Sequence, residues 1–211
     1  KTLSIVKKYP HVNQIISEHD KGNYDAMNKG INYAKGDIIG FLNSDDFYAS
    51  NKILSKVMCL FRDNPSLDAC YADLTYTDKV DITQTVRYWK SSDFILGSFS
   101  KGWCPPHPTF FVRQSIYKLF GNFNLNYSVA SDVDLMMRFL EVNKIRVSYV
   151  PEVWVKMRSG GMSNKNLKSI LDQNLDILSA LRNHNLSANP IIFFVYKIIS
   201  RLKQFFQRPK G

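Results

Sequence analysis

The sequence predicts an α/β fold built on a mixed sheet. Strand-like and helix-like segments alternate at short intervals through the first half of the chain. One strand-length run, "DIIGFLN" at 37–43, is apolar without alternation. Such a run suits a strand covered on both faces, as in a parallel sheet, and the later strands make the sheet mixed. With 211 residues, 45% of them hydrophobic and 22% charged, the chain is long enough for one sizeable core and is not of disordered composition.

Taken in order, "KTLSIVKKY" reads as the end of a helix, and the chain opens without a Met, so a piece is expected to precede it. "VNQIIS" (12–17), β-branched and apolar, reads as a strand. "YDAMNKGINYAK" sets Ala26, Met27, Ile31 and Ala34 at helical spacing, and Gly36 is placed to close that helix. After "DIIGFLN", Ser50 can cap a helix carrying Ile53, Leu54, Val57, Leu60 and Phe61 on one side. "LDACYADLTYT" and "ITQTVRYW" follow as extended strands. Residues 91–130 are richer in Gly, Pro and aromatics, the composition of loops that carry function on a rigid scaffold. "SDVDLMMRFLEVN" resumes as a helix, "IRVSYV" as a strand and "NKNLKSILDQNLDILSALRNH" as a long amphipathic helix. Asn189 and Pro190 then start a last helix, basic and aromatic.

The net charge is +10, which raises nucleic acid, anionic lipid and phosphorylated substrates as partners. Lys197, Arg201, Lys203, Arg208 and Lys210 cluster at the end with no acid among them, so the body of the protein is only mildly basic. Cys59, Cys70 and Cys104 are odd in number and lack metal-ligand spacing, which argues against a disulfide framework and for a reducing, cytoplasmic setting. Cys59, in an apolar helical pattern, reads as a buried thiol. No signal peptide is visible, and the longest apolar run, "IIFFVY", is far short of the roughly 20 residues that a spanning helix needs.

"FLNSDDFY" sets Asp45 beside Asp46 directly after an apolar run. Adjacent carboxylates repel, and they become cheap once a divalent cation neutralises them; hard oxygen ligands suit Mg²⁺ or Mn²⁺. A solvated turn in which Asp45 satisfies backbone donors is the other reading. Ligands of open α/β sheets bind outside the carboxyl ends of the strands, where these acids fall.

The stretch "SEHDKGNYDAMNKGINYAKGDIIGFLNSDD" strongly resembles the signature of family 2 glycosyltransferases with the GT-A fold. Asp20, Gly22, Ala26, Asn28, Gly30, Ala34, Gly36, Asp37, Asp45 and Asp46 stand in the family's order at fitting spacing. A second stretch, "YSVASDVDLMMRF", resembles the segment where an acid opens a helix under the acceptor site; Ser131 stands where the family often has Glu. Asp132 then aligns with the catalytic base. Ser131-x-x-Asp134 also reads as a capping box with Asp132 in the first turn, and Asp134 goes to that reading. "PPHPTFFVRQSIY" resembles the strand that often carries a His, so His107 lines the acceptor or diphosphate site or is simply packed.

The resemblance implies a GT-A domain over 1–160, short of the opening strands that hold the nucleobase, with a helical extension over 161–211. A fragment of that kind would bind nucleotide weakly. The resemblance further implies an inverting transfer from a nucleotide-sugar, a UDP-sugar foremost, to a saccharide or lipid-linked acceptor, as in cell-surface polysaccharide or glycolipid synthesis. Asp46 would hold Mn²⁺ or Mg²⁺, Asp45 would contact the ribose or metal-bound water, and Asp132 would deprotonate the acceptor. Asp20, Lys21 and Asn28 would line the donor side; Lys21 equally suits a solvated surface, and Asn28 would orient donor or backbone groups. The Gln-x-x-Arg-Trp motif of processive synthases is absent, which favours single addition. A sugar nucleotidyltransferase is the enzyme alternative. A basic nucleic-acid binder leaves the acids unexplained, so no nucleic-acid partner is expected. On the last helix, Ile191, Phe194, Val195, Ile198, Leu202, Phe205 and Phe206 fall on one side and Lys197, Arg201 and Arg208 on another, with Lys203 and Lys210 nearby. Such a helix packs on the domain or on a second subunit, or lies in a membrane interface with its basic residues toward anionic lipid.

Overall fold

The computed structural model describes residues 2–160, 167–207 and 209. Its centre is β3 (Ala69–Thr77), nine residues that are all buried. β3 runs parallel to β6 (Val147–Arg158) and antiparallel to β5 (Phe111–Arg113) and β4 (Thr85–Trp89). β1 (Ile38–Ile39) adds to β5 and β2 (Phe47–Tyr48) to β6, giving the order β1-β5-β3-β6-β2 with β4 on β3. The helices are α1 (Thr2–Val6), α2 (Asn23–Tyr33), α3 (Ile53–Asp63), α4 (Gln114–Phe120), α5 (Ser131–Met137), α6 (Leu167–Asn183) and α7 (Pro190–Phe206). α5 runs on into a π turn, Arg138–Val142.

Two apolar layers sandwich the sheet. Ile53, Val57 and Phe61 of α3 pack with Cys70, Leu74 and Trp154 on one side. On the other, Ile31, Tyr71, Leu135, Met136 and Phe139 share a core with Ile177 and Leu181 of α6 and Phe193 of α7. Each large side chain fully buried there contributes about 1.5–3 kcal/mol. Asp73 is the exception in β3, a fully buried acidic side chain. Its carboxylate accepts from the Tyr88 hydroxyl, the Ser91 amide at 2.7 Å and the Tyr149 hydroxyl at 2.8 Å, which ties β4 and β6 to β3. Three donors offset the cost of burying that group.

Several local expectations are corrected. Residues 12–17 form no strand: Val12, Ile15 and Ile16 are 41%, 38% and 39% exposed, because no described strand lies alongside to pair with them. β1 is two residues long and antiparallel to its neighbour, with only Ile39 buried, so the run at 37–43 is neither long nor covered on both faces. α2 closes at Ala34, whose N–H donates to Gly30 and Ile31 carbonyls and whose carbonyl accepts from the Gln114 side chain at 2.6 Å; Gly36 is not needed. Ser50 accepts from the Lys52 amide at 3.3 Å, one step ahead of a helix that Lys52 itself precedes, and Leu54 faces solvent. Cys59 is half-buried beside Arg62, while Cys70 is the fully buried thiol, pushed up to about 12 by burial. β6 runs well past Val150. Its register with β3 jumps from Val150 to Val153, which leaves Pro151 and Glu152 in a bulge, a place where a strand tolerates proline.

The expected start of the last helix is found. Asn189 caps α7, its side chain accepting from the Ile191 and Ile192 amides, with Pro190 in the first turn. The first residues of the long amphipathic segment, 164–166, and the basic Arg208 and Lys210 lie outside the described residues.

Candidate active site

The acidic turn hangs from the end of β1. Gly40 lets the chain pass close over Phe111: a Cβ there would stand 2.4 Å from that ring. At the turn itself the Asp46 amide donates to the Asn43 carbonyl at 3.1 Å, and the Asn43 side-chain amide donates to Asp46 Oδ2 at 2.9 Å. Asp45 is exposed and caps nothing among the described residues, contrary to the turn reading, whereas Asp46 is buried with Oδ1 lacking a partner. Burial foremost pushes the Asp46 carboxyl above its usual range, with the Asp45 charge adding to it; the Asn43 and Arg158 hydrogen bonds oppose. Among the described residues no three His, Cys, Asp or Glu side chains gather as a metal cage. The orphaned oxygen with a second acid beside it does suit Mg²⁺ or Mn²⁺ of the kind that takes the rest of its shell from substrate phosphates and water.

Asp132 opens α5, where an acid suits the helix dipole. Its Oδ1 accepts from the Tyr24 hydroxyl at 3.0 Å and from the Val133 amide at 2.9 Å. That hydroxyl also lies 2.8 Å from the Val129 carbonyl. Burial and the Asp132 charge push Tyr24 above its ordinary range, so it stays a donor. The capping box is not formed. The Ser131 hydroxyl donates to the Asn124 carbonyl at 2.8 Å, and Asp134, 2% exposed, meets His184 Nε2 at 2.8 Å, because both side chains turn into the core rather than back along the helix.

Aromatic packing joins these pieces. Tyr24 stacks on Phe123 at 5.4 Å between ring centres, Phe123 meets Phe41 and His107 edge-on, and His107 stacks on Phe41 at 5.5 Å. His107 begins a buried 3₁₀ turn with Nε2 lacking a partner among the described residues. Burial holds its pKa below the ordinary value, with the Asp132 charge opposing, so the ring is neutral near pH 7. His107, Asp132 and the loop bearing Asp46 thus form one neighbourhood.

The other expected residues sit elsewhere. Asp20 accepts from Lys29 at 2.8 Å, and Lys29 also meets Glu18 and Asp25, a mostly half-buried cluster at the start of α2. Lys21 is exposed there and gives its backbone amide to Asp25. Asn28 holds both polar atoms of the Phe123 backbone, donating to its carbonyl and accepting from its amide at 2.9 Å each. It is therefore occupied by backbone.

α7 supplies what the sequence reading missed. Phe193 and Gln204 are buried against the domain, and Lys197 and Arg201 lie on the same half-buried stripe. Ile191, Ile198, Leu202 and Phe206 are 74%, 59%, 55% and 84% exposed. Lys197 and Arg201 thus lie on the inward stripe with Phe193 and Gln204, while Lys203 and most of the apolar side chains lie outward. The 193, 197, 201, 204 spacing is itself a helical stripe and was the available signal. Lys197 and Cys104 both feel the Asp132 charge, and burial foremost pushes the Cys104 thiol up to about 11.

The fold agrees with comparison to known proteins. Solved structures of Staphylococcus aureus TarS (residues 1–349) superpose with TM-scores of 0.61 in complex with UDP-GlcNAc and 0.60 with UDP, at 17% and 16% identity. Each match covers 92% of this chain and 58% or 57% of the other. These likenesses speak for the fold. A PGL/p-HBAD biosynthesis glycosyltransferase of Mycobacterium bovis is 28% identical over 69% of this chain and 54% of its own length. An uncharacterized glycosyltransferase of Mycobacterium tuberculosis is 27% identical over 58% and 45%. The chain therefore spans about half the length of the curated relatives it matches. The Glycosyl transferase family 2 profile matches residues 1–128, which takes in the whole acidic turn and His107 and stops just short of Asp132. On that match the chain belongs to glycosyl transferase family 2.

Proposed function

We propose that this chain carries the catalytic centre of an inverting glycosyltransferase, which moves a sugar from a nucleotide-diphosphate donor to an acceptor hydroxyl. The observation that carries this reading is Asp132. It is half-buried, its Oδ1 is committed to Tyr24 and a helix amide, and it shares a neighbourhood with His107 and the loop of the buried, one-sidedly bound Asp46. The TarS structure with UDP-GlcNAc supports a UDP-sugar as donor. The acceptor is a saccharide or a lipid-linked one.

Asp46, with Asp45 beside it, would hold Mn²⁺ or Mg²⁺, which neutralises the donor diphosphate and lends Lewis acidity to the departing oxygen. Asp132 Oδ2 takes the proton from the acceptor hydroxyl while Tyr24 and the helix amide hold Oδ1 in place. The acceptor oxygen bonds to the anomeric carbon on the face opposite the diphosphate. The carbon–oxygen bond to the diphosphate breaks, the electron pair leaves with the nucleoside diphosphate, and the configuration inverts. His107, neutral, offers Nε2 to an acceptor hydroxyl. Asp132→Asn should cut transfer by about 10²–10⁴ with donor affinity intact, the usual weight of a general base. Transfer by the complete enzyme within a few-fold of parent would place the base elsewhere.

The outward apolar face of α7, with the exposed Lys203 in its last turn, also supports peripheral contact with an anionic membrane surface, lying in the interface. No helix of the described residues is long and apolar enough to cross a membrane.

A further inference from the structure

We propose that Thr109 is a positioning residue of the active centre: its hydroxyl stands in for a strand beside Ala72 and so fixes the turn that aims His107 at the acceptor. The role in transfer rests on the reading of His107 given above; the grip on the turn rests on geometry alone.

One edge of β3 has a gap. β5 pairs with it at Ala69 and Cys70, and β4 pairs with it from Leu74 to Thr77, both antiparallel. β6 occupies the other edge along the length of β3, so β5 and β4 share this one and leave Ala72 between them. Ala72 is fully buried, and a buried backbone needs partners for its N–H and its carbonyl. Thr109 Oγ1 meets both. It accepts from the Ala72 amide at 3.2 Å and donates to the Ala72 carbonyl at 2.8 Å. The same hydroxyl lies 2.8 Å from the Pro106 carbonyl. Its one proton is shared between a carbonyl of the strand and a carbonyl that opens the turn, which ties the turn to the sheet.

The turn has little of its own to hold it. Pro105, Pro106 and Pro108 surround His107, and none of the three carries an N–H. Two backbone hydrogen bonds close it, from Thr109 to the Pro106 carbonyl and from Phe110 to the His107 carbonyl, each 2.9 Å. A residue before proline disfavours helical backbone, yet His107 opens a 3₁₀ turn directly before Pro108. The local preference is overruled from outside the turn, and Thr109, itself fully buried, is the side chain that bonds the turn to the strand.

His107 depends on that bond for its aim. Its ring lies 5.5 Å from both Phe41 and Phe123 between centres, and its Nε2 has no hydrogen-bond partner among the described residues. With no partner of its own, that nitrogen goes where the turn carries it. The start of the same segment is held separately. Asp73 accepts from the Ser91 amide at 2.7 Å, and the Tyr71 hydroxyl donates to the Ser92 carbonyl at 2.7 Å. Loss of the Thr109 hydroxyl therefore shifts the turn and leaves the beginning of the segment in place.

The test compares Thr109→Val, which keeps the shape and loses the hydroxyl, with Thr109→Ser, which keeps the hydroxyl. The first readout is the imidazole NMR signal of His107 in the whole chain without substrate, assigned among the four histidines by its loss in His107→Gln. Thr109→Val should move and broaden that signal and leave the Ser91 and Ser92 amide signals unmoved, and Thr109→Ser should read as parent. Should Thr109→Val fail to fold, Thr109→Ala must show the same displacement. A parent-like His107 signal in a folded variant without the hydroxyl, or a displaced one in Thr109→Ser, overturns the proposal. The second readout is Mn²⁺-dependent release of UDP from UDP-GlcNAc, UDP-glucose and UDP-galactose by the complete enzyme, taken on whichever donor parent turns over. Thr109→Val and His107→Gln should each lower it by about 10- to 100-fold, the weight of a misplacement of about 1 Å, with UDP affinity within a few-fold of parent. Parent-like release by Thr109→Val beside a loss in His107→Gln overturns the positioning role. Parent-like release by His107→Gln, or no release by parent, fails the reading of His107 or of the donor instead, and the substrate-free NMR result then decides whether Thr109 holds the turn.

Discussion

Asn28 decides between two kinds of role, and its substitution can be sized from the structure. Its side-chain amide makes both hydrogen bonds to the Phe123 backbone at 2.9 Å, holding α2 to the loop that carries the aromatic ring under His107. Asn28→Ala removes both bonds, at about 0.5–1.5 kcal/mol net each, so about 1–3 kcal/mol in all. Asn28→Asp keeps the acceptor but sets a carboxylate against the Phe123 carbonyl. It loses one bond and leaves a buried carbonyl unpaired, at about 1–3 kcal/mol for that group alone. Both variants should lower stability by about 2 kcal/mol in urea unfolding, a midpoint shift of about 1 M at a slope of about 2 kcal/mol/M. Affinity for UDP, measured on the folded protein, should stay within a few-fold of parent. Stability within about 0.5 kcal/mol of parent together with lost UDP affinity would refute this reasoning and return Asn28 to a direct donor contact.

Two further outcomes follow from α7. Gly102 has φ +74, and a Cβ there would press on the Phe193 carbonyl at 3.2 Å. Gly102→Ala should therefore cost about 1–2 kcal/mol and speed amide exchange in α7; unchanged exchange would mean the helix does not depend on that approach. Phe206 is 84% and Ile198 59% exposed on the outward face. Phe206→Glu and Ile198→Glu should each reduce co-sedimentation with anionic vesicles, and parent-like sedimentation of both would remove the membrane contact.

What the sequence made legible is mostly local. An Asn-Pro pair caps and starts α7 through contacts within a few residues, and β3 advertises itself as a long β-rich run. The acid pair stood out because nothing local required both carboxylates, and the structure indeed spends neither on capping. What stayed hidden depends on distant partners. Residues 12–17 have strand composition, but a strand needs a neighbour, and composition cannot name one. The strand reading covered only "IRVSYV", yet β6 runs on through Pro151 in a bulge against β3. Ser131 and Asp134 matched a capping box until the Asn124 carbonyl and His184 claimed them. Amphipathicity fixed the two faces of α7 without saying which one docks, so Lys197 and Arg201 read as solvent or lipid residues although they lie on the half-buried stripe with Phe193 and Gln204.

The most direct test of the proposed centre is calorimetric titration with UDP, with Mn²⁺ and with EDTA, on parent and on Asp46→Ala. Parent should bind UDP more tightly with Mn²⁺ than without it, and Asp46→Ala should show the same weak affinity under both conditions. Undiminished Mn²⁺-dependent affinity in Asp46→Ala would contradict the assignment of the acid pair to the nucleotide-sugar site and leave it a buried turn.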